Sequence, residues 1–197
     1  WYNGYGERDR RVILGILIAA GLSLVYVAVV EPVLDYRKSI GKEIADGQDL
    51  IKLGKISDAT DHYRRAIKFK PEYADAYDNL GSALMTLGRV DDAIGNYQQA
   101  VAIKPGFAAA HYNLAFALAQ RGDLESASTH YQSALEIEPR LVEAHSNLSL
   151  ILLKRGDVQG ATRHSREAVK LAPQTIVNRL NLGNILLSQN QNEEAVV

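Results

Sequence analysis

Apolar and polar residues follow a helical period along most of this 197-residue chain. From about residue 40 onward, apolar residues recur at i, i+3 and i+4 in short segments, the pattern of a helix with one buried face. Glycines separate the two segments of each pair, and prolines end each pair. These residues are Gly54, Gly88, Gly122, Gly156, Pro71, Pro105, Pro139 and Pro173. The pattern predicts amphipathic helix pairs with a tight turn inside each pair, where glycine supplies a positive φ.

The prolines are spaced by 34 residues, and other residue types recur with the same period. The recurring positions are Ala59, Ala93, Ala127, Ala161, Ala195; Tyr63, Tyr97, Tyr131; Ala66, Ala100, Ala134, Ala168; Leu80, Leu114, Leu148, Leu182; and Leu84, Leu118, Leu152, Leu186. A unit of two helices cannot bury its apolar face alone, so copies of it must stack. The alanines fall where neighbouring helices need to approach closely.

These columns resemble the tetratricopeptide repeat, or TPR. The second copy carries the pattern best, with Tyr77, Leu80, Gly81 and Leu84 followed by Ala93, Tyr97, Ala100 and Pro105. The resemblance implies an all-α TPR solenoid of antiparallel helix pairs over residues 39–197. Its repeats are expected at about 40–73, 74–107, 108–141 and 142–175, with an incomplete one at 176–197.

Three positions depart from the pattern. Asp46 replaces a leucine in the first copy, which indicates a capping or junction repeat. Ser165 replaces the aromatic residue of the fourth copy, and we expect looser packing there. Asn190 stands where the turn glycine of a fifth copy belongs, so a turn is expected at that position, because asparagine is the next-best residue for a positive φ.

A 19-residue segment without a charge, residues 12–30, precedes the repeats. Its length matches the hydrocarbon core of a bilayer and predicts a single transmembrane helix, with a tail at 1–11 and a linker or helix at 31–38. A cleaved signal peptide is the alternative. Arg8, Arg10 and Arg11 lie nearer to the segment than the basic residues after it, which favours a cytoplasmic N-terminus. The solenoid would then lie on the non-cytoplasmic side, in a periplasm or lumen.

Small residues recur every fourth position inside this segment, at Gly15, Ala19 and Ser23. Such a face lets a second helix approach closely in a membrane. Ordinary variation in an apolar helix would produce the same spacing, and the sequence leaves both interpretations open.

Composition and charge argue against several classes of function. The 22 Lys+Arg balance 23 Asp+Glu, so no basic footprint points to nucleic acid. The chain has no cysteine, which excludes thiolate chemistry and cysteine-bound zinc. Five histidines fall into two columns of the repeat, and a metal pair formed by His111 and His145 lacks further ligands. We therefore predict no catalytic residues, no cofactor and no metal.

The family resemblance implies a concave groove lined by the first helix of each pair. The residues predicted to line this groove and bind a partner are Asn79, Tyr112, Asn113, Phe116, Asn147, Leu150, Leu153, Asn181, Asn184 and Leu187. The asparagines could hydrogen-bond the main chain of a bound segment, or they could simply be common at this position of the repeat. Family members that clamp chaperone tails use Lys and Asn where this chain has Ile44 and Gln48, so a chaperone C-terminus is an unfavourable ligand.

The layout resembles membrane-anchored TPR assembly proteins, such as those of photosystem I assembly. It predicts a non-catalytic, membrane-anchored interaction scaffold that acts as an accessory subunit or assembly factor of a membrane protein complex, possible examples being photosynthetic or electron-transfer complexes. Two alternatives stay open. One is a targeting receptor for incoming polypeptides, and the other is the TPR region of a longer enzyme, for instance a glycosyltransferase beyond Val197.

Overall fold

The computed structural model describes the backbone of residues 31–194 and the side chains from residue 38 to residue 189, together with Asp35. This part of the chain folds into nine α-helices and contains no strand. The helices are α1 (Glu31–Lys52), α2 (Ile56–Phe69), α3 (Ala74–Thr86), α4 (Val90–Ile103), α5 (Ala108–Arg121), α6 (Leu124–Ile137), α7 (Val142–Lys154), α8 (Val158–Leu171) and α9 (Ile176–Glu194). The predicted all-α solenoid is confirmed.

Tight turns join the two helices of each pair, as the glycine positions predicted. Gly54, Gly88, Gly122 and Gly156 have φ values of +73°, +73°, +92° and +81°. At the first of these turns, the backbone N–H of Lys55 donates to the carbonyl of Leu50 at 2.9 Å, which satisfies a carbonyl at the end of α1. We call α1, α3, α5, α7 and α9 the first helices, and α2, α4, α6 and α8 the second helices.

The core follows the 34-residue columns. The alanines at the predicted close approaches of the second helices are 0–1% exposed. Because the side chain of alanine is a single methyl group, the neighbouring backbones can pack tightly there. Leu114 and Leu148 of the first helices are fully buried between them. The same small and large residues recur in each pair, so one continuous core runs through successive pairs.

The last helix differs from the prediction. The turn expected at Asn190 does not form, because α9 continues as a helix to Glu194. All four left-handed turn residues in the described part of the chain are glycines. Asparagine carries a Cβ that makes a positive φ costly, and the helical conformation prevails at this position.

The predicted membrane localisation needs correction. Within residues 31–194, no helix combines the length and the apolar character needed to cross a bilayer. Helix α1 has 22 residues but carries charges along its length, among them Asp35, Lys38, Lys42 and Glu43. Single-pass membrane localisation, with the solenoid in a periplasm or lumen, is therefore not supported. The predicted span at 12–30, its small-residue face at Gly15, Ala19 and Ser23, and the tail at 1–11 lie outside the described residues.

Candidate functional site

The first helices lie side by side, and asparagines of one repeat column join α5, α7 and α9 each to the first helix before it. The Asn113 side-chain amide donates to Asp78 Oδ1 at 2.9 Å, linking α5 to α3. The Asn181 amide donates to Ser146 Oγ at 3.3 Å, linking α9 to α7. The first helices therefore form one surface, and the predicted groove residues lie on it.

Asn147, in the same column, makes two hydrogen bonds within the protein. Its amide lies 3.4 Å from the hydroxyl of Tyr112 and 3.2 Å from that of Tyr131, so it links α7 to both helices of the preceding pair. Asn79 differs, because the equivalent position on α1 is the apolar Ile44, which offers no acceptor. Three of the four asparagines in this column thus donate within the protein. Their amide oxygens, and the whole Asn79 amide, have no hydrogen-bond partner among the described residues and could bind other groups.

An open crevice of about 330 Å³ lies in the groove between α1 and α3, and we call it the N-terminal crevice. Its lining residues are Gln48, Ile51, Lys52, Tyr63, Asn79, Ser82, Ala83 and Thr86. Tyr63 reaches the crevice from α2, and Ile51 and Ala83 give it an apolar floor.

A second open crevice of about 240 Å³, the C-terminal crevice, lies between α5 and α7. Its lining residues are Phe116, Ala119, Gln120, Leu124, Tyr131, Asn147, Leu150, Ile151 and Lys154. Phe116 and Leu150 remain 40% and 37% exposed, which is high for large apolar side chains. An apolar group of a partner would gain free energy by covering them.

The predicted groove residues do not all fall in these crevices. Asn79, Phe116, Asn147 and Leu150 line them. Tyr112 instead packs its ring 5.7 Å from that of Tyr131, and Leu153 packs against the core. Asn113 bridges α5 and α3, as described above, while Asn181, Asn184 and Leu187 lie on α9, outside either crevice.

Sequence reasoning predicted four of the seventeen residues that line the crevices and missed the other thirteen. The missed residues include Ile51, Lys52, Thr86, Ala119, Gln120, Ile151 and Lys154. All of these except Ile151 occupy two columns of the same 34-residue alignment, three and four positions after Gln48 and its equivalents, whereas Ile151 directly follows Leu150. The register of the repeat was therefore a signal that could have identified them.

Burial raises the pKa of several polar side chains of the groove. Burial raises the pKa of the Asp78 carboxyl, the hydrogen bond from Asn113 offsets part of this rise, and the nearby Asp75 adds to it. Burial also raises the pKa of Tyr97 to about 12, and that of Tyr131 strongly, so both phenols remain protonated at neutral pH. The groove thus presents amides and hydroxyls rather than a dense set of charges.

The histidines pair within repeats rather than between them. Nδ1 of His111 lies 3.1 Å from Nδ1 of His130, and Nδ1 of His145 lies 2.9 Å from Nδ1 of His164. Nε2 of His111 and of His145 also lies within 3.1 Å of a proline carbonyl, which fixes the tautomer of each ring. No group of three or more metal-ligating side chains occurs among the described residues.

The sequence matches the model of a known repeat family. The TPR repeat family model matches residues 47–88, 81–122 and 117–156, which together span more than half of the chain. No curated protein sequence matches the chain.

Several solved structures share the arrangement of helices. The crystal structure of MamA protein superposes with a TM-score of 0.72 and 21% identity, over 81% of this chain and 87% of MamA. PilF of Pseudomonas aeruginosa gives a TM-score of 0.72 and 19% identity, over 80% of this chain and 72% of PilF. The first TPR of Spaghetti (RPAP3), bound to the HSP90 peptide SRMEEVD, gives 0.59 and 25% identity, over 60% of this chain and 94% of that one.

Proposed function

This chain belongs to the tetratricopeptide repeat family, and on that premise we propose that it is a non-catalytic scaffold for the assembly of a protein complex. In this proposal the groove holds an exposed segment of a partner protein, and the rigid stack of helices sets the position of that segment. A fold of this kind supplies a surface rather than a reaction, so its function depends on what that surface binds.

The observation that carries the proposal is the pair of crevices on the groove. Both have apolar floors, and the C-terminal crevice leaves Phe116 and Leu150 about two-fifths exposed. Amides and hydroxyls lie beside these apolar surfaces, so a bound segment can bury its side chains while its polar groups find partners.

Capture of a chaperone tail is a less favourable version of this function. The first TPR of Spaghetti (RPAP3) holds the peptide SRMEEVD, which ends in acidic and apolar residues. In the present chain Ile44 and Gln48 stand where a carboxylate clamp would need Lys and Asn. A terminal carboxylate would thus lack the lysine and the asparagine of such a clamp in the first repeat.

A groove-directed variant tests the proposal. We expect the double variant Phe116→Asp, Leu150→Asp to lose partners that co-purify stoichiometrically with the wild-type chain from its native extract. Both side chains are already partly exposed, so the far-UV circular dichroism of the variant should stay unchanged. Ile137→Asp is the matched control, because Ile137 is 41% exposed but lies at the end of α6, outside both crevices. Equal retention by all three proteins would contradict the proposal.

A further inference from the structure

The two crevices lie at the same position of the repeat, two repeats apart. Their lining residues occupy aligned positions separated by two repeat periods. The aligned pairs are Gln48 and Phe116, Ile51 and Ala119, Lys52 and Gln120, Tyr63 and Tyr131, Asn79 and Asn147, Ser82 and Leu150, Ala83 and Ile151, and Thr86 and Lys154. The repeat therefore places a tyrosine, an asparagine and an apolar floor at the same register in both crevices.

Internal hydrogen bonds occupy the position between them, where α3 meets α5. The hydroxyl of Tyr97 donates to Ser82 Oγ at 3.2 Å, and the Asn113 amide donates to Asp78 at 2.9 Å. These bonds satisfy the polar side chains at this junction within the protein. The groove thus offers two apolar binding positions separated by a polar step.

The distance between the two crevices follows from helix packing. Each crevice lies between neighbouring first helices, and two first-helix steps separate α1/α3 from α5/α7. Packed helices have interaxial distances of about 8–10 Å, and neighbouring first helices make few close backbone contacts, so we take the upper value and place the crevice centres about 20 Å apart. An extended chain covers this distance in about six residues, at about 3.3 Å each. Residues i and i+6 also point to the same side of an extended chain, because side chains alternate.

Lysines define the chemistry at one edge of the groove. Lys52 ends α1 and lines the N-terminal crevice, while Lys154 ends α7 and lines the C-terminal crevice. Lys52 pairs with Asp49 on its own helix, but both side chains are about 70% exposed or more, and a pair of that kind is weak. Lys154 has no ion pair within the described part of the chain. A carboxylate next to each anchoring side chain would complement both lysines.

We propose that the groove binds an extended acidic segment that carries two large apolar side chains six residues apart, one for each crevice. The inference rests on the proposed function, because it names the partner chemistry of the same groove. The asparagines favour an extended segment over a helix. A helix has no free main-chain groups along its length. An extended segment has free main-chain N–H groups, which can donate hydrogen bonds to the side-chain amide oxygens of Asn79 and Asn147.

Fluorescein-labelled probe peptides test the spacing on the full chain by fluorescence anisotropy. Each probe carries two leucines, each followed by glutamate, in a Gly-Ser background, with the leucines three to nine residues apart. We expect the tightest binding at six residues, at least tenfold tighter than at three residues or with one leucine, because the second anchor binds intramolecularly. Equal affinity at all spacings, or no binding by any probe, would overturn the inference.

Single-residue variants in each crevice test whether the two leucines of the probe bind there. We expect Gln48→Glu and Leu150→Glu each to reduce the six-spaced probe to the affinity of a single-leucine probe. Both positions are exposed, as are those of the controls Gln98→Glu on α4 and Ile137→Glu on α6, which should bind like the wild-type chain. Binding that survives both crevice variants would overturn the inference.

Selection of random dodecapeptides on the same proteins separates this inference from the proposed function. Groove-dependent peptides without the six-residue spacing would overturn the inference and leave the scaffold proposal standing. If no selected peptide depended on Gln48 or Leu150, the groove would not be the binding surface, and both proposals would fail.

Discussion

The second and fourth helix pairs fill the same internal position in opposite ways. In the second pair, Tyr97 of α4 packs over Gly81 of α3, and a Cβ added at Gly81 would lie 2.6 Å from the ring. In the fourth pair, the equivalent residues are Ser165 of α8 and Ser149 of α7, which are 1% and 0% exposed. Ser165 Oγ has no hydrogen-bond partner among the described residues.

This difference shows what holds one helix pair together. A large ring over a glycine buries much apolar area at a close backbone approach, and the phenol finds a partner in Ser82. Two buried serines occupy the same position with little apolar area, and one hydroxyl remains unsatisfied. We therefore expect the fourth pair to be less stable than the second.

The largest expected effect is the loss of the ring in the second pair. Tyr97 is 3% exposed, and Tyr97→Ala leaves a cavity at the centre of the α3–α4 interface. Such truncations cost about 3–5 kcal/mol of the free energy of unfolding. Urea denaturation followed by circular dichroism measures it. Tyr112→Ala is the comparison variant, because that ring is only half-buried, and a cost as large as that of Tyr97→Ala would contradict our account of the second pair.

A smaller effect is expected from a methyl group under the same ring. Gly81→Ala forces the ring of Tyr97 to shift, whereas Gly95→Ala on the outer side of α4 meets no atom within 4 Å. Overpacking costs about 1–3 kcal/mol, while alanine stabilises an exposed helix by about 1 kcal/mol relative to glycine.

We therefore predict that the two variants differ in unfolding free energy by about 2 kcal/mol, with Gly81→Ala the less stable. Ala115 in the third pair coexists with the buried Tyr131, so the fold can accommodate a methyl group under such a ring and we do not expect a larger cost. Thermal unfolding of the two variants side by side provides the measurement, and equal stability would show that the ring adjusts freely.

The repeat register made most of this fold predictable from the sequence. Gly88 and Pro105 mark where helices end, because a positive φ and a missing N–H are strong local constraints. Asn190 shows the limit of such reasoning. The register alone predicted a turn there, but the residue lacks the conformational freedom of glycine and the helix continues.

The candidate site was predictable only in part. Phe116 and Leu150 were identifiable as apolar residues on the predicted groove, and both are exposed there. Asn113 and Asn147 were assigned to a partner, yet they donate to Asp78 and Tyr112. A single sequence does not reveal whether a polar side chain finds a neighbour within the fold, because that depends on contacts between repeats.

Acidification should weaken the third and fourth pairs, where histidines face each other, more than the second. Burial lowers the pKa of His164 to about 4, aided by His145 and Arg163, and Asp157 opposes the effect only partly. The folded state therefore binds a proton at His164 less readily than the unfolded chain does. The contribution of the neutral His164 to the free energy of unfolding is complete above about pH 6.5 and declines as the pH falls towards 4.

After allowance for solvent screening of this half-exposed pair, the loss between pH 7 and pH 5 should be about 1–2 kcal/mol. The double variant His130→Asn, His164→Asn, which copies Asn96 of the second pair, should lose less stability over the same interval. Urea denaturation at both pH values tests this, and an unchanged pH dependence in the variant would exclude the histidine pairs as its source.

The smallest expected effect is also the most direct test of the ranking, because its sign is opposite. Ser165→Ala removes a buried hydroxyl without a partner and should stabilise the protein by about 1 kcal/mol. Ser149→Ala is the matched control, since Ser149 Oγ donates to the carbonyl of Ser146 at 2.7 Å and little should change. If Ser165→Ala destabilised the chain as Tyr97→Ala does, the serine would satisfy its hydroxyl in solution, and the fourth pair would not be the weaker one.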